Sequence, residues 1–245
     1  KEASAKVVDV IERQLRNDYP VPTDRRVMIE CFENYAIIHG CFGNLVNETL
    51  GKSLASLLSS RLGVNVATQV DAYRIALVSP YYLDPKAVRK ELEGIRPEDL
   101  NLVLSETLGY TSLFAWHLWN VAKRFGLVSH EAQYRSSRGI MLASTLKDTP
   151  VYAEALREIY VEKMDLENAK RVLELIQEGE IGVEVVDRRK EYSPLALPIL
   201  DRIAPQDILR PAAPTKSLIE VVKERLETED VRLVCVFKGD YNGVR

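Results

Sequence analysis

Few residues of this chain have the type and spacing that chemistry requires. Gly51-Lys52-Ser53, inside "GNLVNETLGKS", has the ending of a phosphate-binding loop. Such a loop needs a glycine five residues before the second one, so that backbone amides can wrap the phosphates. That position holds Val46, and the triplet falls inside a helical pattern, not at a helix start. His39, His117 and His130 have no partner at metal-ligand spacing, and Cys235-Val236-Phe237-Lys238 is half of a CxxC pair. One thiolate cannot hold zinc. No GxSxG elbow occurs, and the sequence pairs no cysteine with a histidine for nucleophilic catalysis. The expectation is a chain with no catalytic residue, no metal site and no cofactor-binding residue.

One constellation passes the same tests. Between Thr111 and Lys147 the bases Lys123, Arg124, Arg135, Arg138 and Lys147 face a single acid, Glu131, for a net charge of +4. From Asp148 to Glu180 nine acids face four bases, for a net of −5. The acidic stretch interleaves its carboxylates with Arg157, Lys163, Lys170 and Arg171 at helical spacing, and reads as a solvated face. The basic stretch holds Phe114, Trp116, Trp119 and Phe125, including both tryptophans of the chain. On a helix of about 3.6 residues per turn, Phe114, Leu118, Val121 and Phe125 form one stripe. Trp116, Trp119 and Lys123 form a second stripe on the opposite side. One stripe suffices for a core. The second has what a single strand of nucleic acid needs: flat π faces for bases and cations for phosphates. Burial of this helix on both sides is the competing reading. The candidate nucleic-acid-binding residues are therefore Trp116, Trp119, Lys123, Arg124, Arg135 and Arg138.

The elements that must position them follow from composition and pattern. The chain has 245 residues, 46% of them apolar, enough to bury a sizeable core. Its net charge is only −3, so any contact with nucleic acid must come from a local patch. Three scattered cysteines, Cys31, Cys41 and Cys235, point to a reducing compartment, and a cytoplasmic location is expected. No apolar run of about 18 residues exists to span a membrane. The opening Lys1-Glu2-Ala3-Ser4 is expected for a piece of a longer gene product.

Residues 4–19 carry helical spacing that ends at Pro20 and Pro22. "RVMIEC" and "YAIIH", joined by Phe32-Glu33-Asn34, predict a β-hairpin. A helix over 45–62, closed by Gly63, leads to strands at 64–67 and 73–78. Residues 84–180 are nearly all helical. Helices begin at Asp84-Pro85, Pro97, Ser112, Thr149-Pro150 and Asp165. A strand at "IGVEVV", a proline-rich run, a helix over 216–226 and a strand over 231–237 complete the chain. The fold class is α+β: an N-terminal, barrel-like unit of β-hairpins and helix, followed by a mainly helical, winged-helix-like region. The expected division is 1–80, strand-rich; 81–180, helical; and 181–245, a proline-rich wrapping segment with a terminal helix and strand.

The segments "YPVPTDRRVMIE", "YAIIHGCFGNLVNETLGKSLASLLSSRLG" and "VDAYRIAL" resemble the region after the motor in archaeal large helicase-related (Lhr-type) superfamily 2 helicases. So do "SLFAWHLWNVAKRFGLV", "DTPVYAEALREIYVEKMDLENAKRVLELIQEGEI" and "SPLALPIL". The likeness runs from about Val7 to Val236 and rests on order and local pattern. Cys41 stands where the family usually has proline, Asp71-Ala72-Tyr73 replaces an acidic-glycine turn, and Lys238 breaks a CxxC. The resemblance implies an accessory region that encloses the tracking single-stranded DNA or RNA and couples it to RecA-type motor domains upstream. ATP and Mg would serve that motor, not this chain. Two other roles stay open. One is a scaffold that packs on the motor, or recruits a partner through the acidic helices, without touching nucleic acid. The other is a base-excision enzyme, which needs a buried carboxylate or a water-activating base near the basic face.

Overall fold

The computed structural model describes residues 2–32, 34–186 and 191–203, with backbone alone at 233–234 and 241–242. Helix α1 (Glu2–Arg16) precedes the hairpin β1 (Arg26–Phe32) and β2 (Tyr35–His39). Helix α2 (Asn44–Leu62) and a second hairpin, β3 (Ala67–Asp71) and β4 (Arg74–Val78), follow. Then come α3 (Pro85–Glu93), a 3-10 turn (Pro97–Asp99), α4 (Leu100–Leu108), α5 (Ser112–Arg124), α6 (Ser136–Thr145), α7 (Pro150–Lys163) and α8 (Leu166–Gln177). Strand β5 (Gly182–Val185) and a short α9 (Leu197–Leu200) close the main body. Leu233–Val234 (β6) pairs antiparallel with Tyr241–Asn242 (β7). The helix expected over 216–226, most of the strand expected over 231–237, and Cys235 lie outside the described residues. Among the described residues no helix is long and apolar enough to cross a membrane.

The α+β class holds, with a strand-rich unit first and helices after it. The sheet is open, in the order β3-β4-β2-β1-β5, with β3 and β5 at its edges. Both hairpins are antiparallel, whereas β5 pairs parallel with β1. The second hairpin differs from expectation in its first strand, which runs 67–71 and not 64–67. Its pairing starts at Asp71 opposite Arg74 and runs outward, so the five residues of β4 select the five that can face them. Val66, just outside, gives its amide to the Ser59 hydroxyl instead.

Strand β1 alternates between two buried faces. Val27, Ile29 and Cys31 join Ala36, Ile38, Ile75, Leu77 and Val183 in a core covered by α2, α3, the start of α4, and α8. Helix α2 lies close to the sheet at Gly51, where a Cβ would meet Ile75 Cγ2 and Thr68 Oγ1 at 3.0 Å. The Gly51-Lys52-Ser53 triplet is thus a packing element in mid-helix. Lys52 pairs with Glu48 at 2.9 Å, and the buried Ser53 hydroxyl donates to the Thr49 carbonyl.

The opposite face is partly polar. Glu30 accepts hydrogen bonds from His39 Nε2 at 2.6 Å, from the Ser193 hydroxyl at 2.6 Å and from the Ser193 amide at 3.0 Å. All three residues are buried. They fasten residues 191–203 across this face, where Ala196 and Ile199 pack on Ile37 and Ala76. Gln14 of α1 adds a bond from the Leu195 amide, and Tyr19 donates to the Glu191 carbonyl. Burial would raise the Glu30 carboxyl, but the hydrogen bond and charge of His39 and the two bonds from Ser193 outweigh it and hold it below the ordinary value.

A carboxyl lowered in the folded state stabilises the fold above its unfolded value, about 4.3, and that stability fades as pH falls through the folded value. Glu30→Gln keeps the shape but loses the charge. Urea titrations from pH 7 down to pH 3 should show the variant roughly 1.5–3 kcal/mol less stable at neutral pH and shallower in its acid decline. Parallel curves for the two proteins would rule out an ionised Glu30 as the fastening group.

Candidate nucleic-acid interface

The helical region has its own core, built from Leu104, Leu108, Phe114, Leu118, Val121, Ala143, Val151, Ala155, Ile159 and Met164. It leaves the sheet unit through α4 and returns through α8. Both junctions are fixed to α2: the Thr107 hydroxyl donates to Ser56 Oγ at 2.7 Å, and the Asp165 amide donates to Thr49 Oγ1 at 3.0 Å. Thr111 caps α5 by accepting from the Phe114 amide, and Thr149 caps α7 by accepting from the Tyr152 amide. The two capped turns bring Phe114 and Tyr152 ring to ring, with centroids 4.5 Å apart.

On α5 the apolar stripe of Phe114, Leu118 and Val121 is buried as its spacing requires, while Phe125 caps the helix and is exposed. The second stripe divides. Trp116 is 49% exposed, whereas Trp119 is 5% exposed. Trp119 therefore offers no open face for a base in this structure, a correction to the paired-tryptophan expectation. The reason is α6, a helix whose start no capping residue marks. It packs beside α5 where Gly139 meets Ala115: a Cβ on Gly139 would lie 3.2 Å from that of Ala115. Tyr134, just before α6, sets its ring edge-to-face on Trp119 at 5.8 Å. Trp116 lies about 60° round the helix axis from Trp119 and escapes this cover.

The four expected cations also divide. Lys123 Nζ donates to the His130 carbonyl at 3.0 Å, and Arg124 is paired with Glu158 of α7. Both are partly committed to holding the fold. Arg135 and Arg138 are exposed, and neither has an ion pair among the described residues. Arg135 is the N-cap of α6 and Arg138 lies in its first turn, where no acid is present and no side chain caps the helix. A helix start carries partial positive charge and open amides, and prefers acids. Two arginines there repel that charge, a local disadvantage that an incoming phosphate would remove.

The signal for α6 was weak in the sequence. Arg135 is not a capping residue, and Gly139 interrupts the helical run. Tyr134 had only its place beside the arginines to mark it. Among the described residues the buried carboxylates, one of the groups that base excision could use, sit in the sheet unit and are engaged. Glu30 binds His39 and Ser193, Asp71 pairs with Arg74 at 2.7 Å, and Glu91 pairs with Arg61 at 2.8 Å.

The sequence model of the family described as DEAD/H associated matches residues 21–196, most of the chain. The chain belongs to that family. The chain is similar to the ATP-dependent helicase Lhr-Core of Methanothermobacter thermautotrophicus, 27% identical over 188 residues. That alignment covers 69% of this chain and 21% of the relative. Lhr-Core of Sulfolobus acidocaldarius is 24% identical, covering 74% of this chain and 22% of the relative. The chain thus spans about a fifth of the length of these archaeal relatives. Among solved structures, the Mycobacterium smegmatis helicase Lhr bound to single-stranded DNA and AMP-PNP shares the fold. Its TM-score is 0.63 at 18% identity, over 78% of this chain and 26% of that one. The DEAD/H associated fold therefore includes both the sheet unit and the helices that carry the basic segment.

The two tryptophans should respond differently to truncation. Trp119→Ala removes a buried ring and should destabilise the chain by roughly 3–5 kcal/mol in chemical denaturation. Trp116→Ala should stay within about 0.5 kcal/mol of the unaltered chain. Equal losses would contradict the division of the stripe into a buried and an open residue.

Proposed function

We propose that this chain is an accessory region of an ATP-dependent helicase, and that it holds single-stranded DNA or RNA along the start of α6 and the exposed face of α5. Arg135 and Arg138, with the open amides of the first turn of α6, contact phosphates. Trp116 stacks a base, and Lys123 and Arg124 at the end of α5 add positive potential. A RecA-type motor elsewhere in the parent protein, with ATP and Mg, supplies the movement. The helical region passes the position of the strand back through its junctions with α2.

The observation that carries this reading is the unpaired arginine couple at an uncapped helix start, with an exposed tryptophan on α5, the helix that α6 packs against. Membership of the DEAD/H associated family and the likeness to named helicases support it. So does the fold neighbour, whose own structure contains single-stranded DNA. The acidic helices fit the scaffold role less well, because Glu158 is occupied by Arg124, and Glu154, Glu167 and Glu174 by bases on their own helices.

Fluorescence anisotropy with a labelled single strand and the matching duplex, at two salt concentrations, tests the proposal. The strand should bind more tightly than the duplex, and binding should weaken as salt rises. Arg135→Ala with Arg138→Ala should flatten the logarithmic salt slope by about 1.4, the share of two phosphate contacts on a single strand. Trp116→Ala should weaken binding roughly five- to a hundredfold at every salt concentration. Binding unchanged by all three substitutions would place the strand elsewhere and sink the proposal.

A further inference from the structure

Trp119 is nearly buried, yet its indole N–H has no hydrogen-bond partner among the described residues. A buried indole usually finds an acceptor, so this donor points to a group that the structure does not hold. The ring set edge-to-face on this indole is that of Tyr134. The Tyr134 ring rests on Gly139: a Cβ there would approach ring carbon Cε2 to 2.8 Å and the hydroxyl to 3.1 Å. Gly139 is thus a seat for that ring, which an alanine would partly fill.

The segment that carries Tyr134 is lightly held. Beyond Val128, the bond from Lys123 Nζ to the His130 carbonyl and a small turn at Ser129 secure it. Immediately after it stand Arg135 and Arg138, exposed and unpaired among the described residues, at the start of α6. A flat ring, its glycine seat and two free cations therefore stand within residues 134–139, and the ring packs on the indole whose donor is unused.

We propose that Tyr134 is a built-in plug, holding the place beside Trp119 that a base of single-stranded nucleic acid takes when the strand binds. The tyrosine swings out, the base stacks on the indole, and the indole N–H gains an acceptor on the base or its phosphate. The strand stays on Arg135 and Arg138, so the exchange needs no other change in the helical core. This proposal rests on the strand-holding function given above and assigns a second, covered stacking position to it. In the closed state the plug lowers apparent affinity by the fraction of molecules in which it is seated.

The full chain has only two tryptophans, so Trp116→Phe leaves Trp119 as the sole indole reporter. In that variant, saturating single strand should quench and shift the Trp119 emission. Tyr134→Ala should bind the strand about tenfold more tightly than the unaltered chain. Tyr134→Phe keeps the ring and should bind like the unaltered chain, and denaturation midpoints of both variants confirm folding. Tighter binding by Tyr134→Ala, including binding where the unaltered chain shows none, supports the plug. If the unaltered chain binds while Trp119 emission stays flat, or Tyr134→Ala binds equally or less well, the plug is wrong and the strand-holding function stands. If no variant binds at low salt, both fall.

Discussion

Strand β1 is buried on both faces, and much of the chain is arranged to meet that demand. A strand so placed needs an apolar cover on each side and a neighbour along each edge. Helices α2, α3 and α8 cover one face, and the 191–203 segment covers the other. Strand β2 fills one edge by a short hairpin. The other edge is filled by β5, which arrives only after the whole helical region has been traversed. The helical region is therefore an excursion between two elements anchored on the same sheet unit. Its position is set at both ends, and the candidate interface is carried at a defined place and not on a free linker.

Polar groups on the second face make that closure specific. Apolar contact alone would let the 191–203 segment slide over Ile37 and Ala76. Glu30 removes that freedom, because its carboxylate accepts both the hydroxyl and the amide of Ser193 while also accepting from His39. A buried charge is tolerated only where its hydrogen-bonding capacity is filled, so the segment has one register that satisfies it. Gln14 repeats the device from α1, binding the Pro20 carbonyl on one side and the Leu195 amide on the other.

Much of this was legible in the residues. Hairpins announced themselves by β-branched runs around short polar turns. Helix starts were marked by Asp84-Pro85, Thr149-Pro150 and Asp165, each of which caps its helix through its side chain. Long-range pairing was not legible: nothing in "IGVEVV" names Arg26–Ile29 as its parallel partner. Nor does an acid within "RVMIECF" reveal that its partner comes from Ser193. The basic-aromatic stretch stood out by charge count and helical spacing, but exposure depends on what packs alongside. Helix α6 decided that Trp119 is covered and Trp116 open, and α6 lacks both a capping residue and an uninterrupted apolar pattern. Charge pairing across helices was hidden for the same reason, since Arg124 meets Glu158 from a helix 34 residues further on.

Strand holding of this kind requires contact over the first turn of α6 and the open face of α5. Hydrogen–deuterium exchange of the chain with and without a saturating single strand locates that contact on the backbone. Slowed exchange is expected over residues 134–140 and 112–120, with α1 and β3 unchanged. Protection confined to the sheet unit, or none in the helical region while the strand is bound, would contradict it.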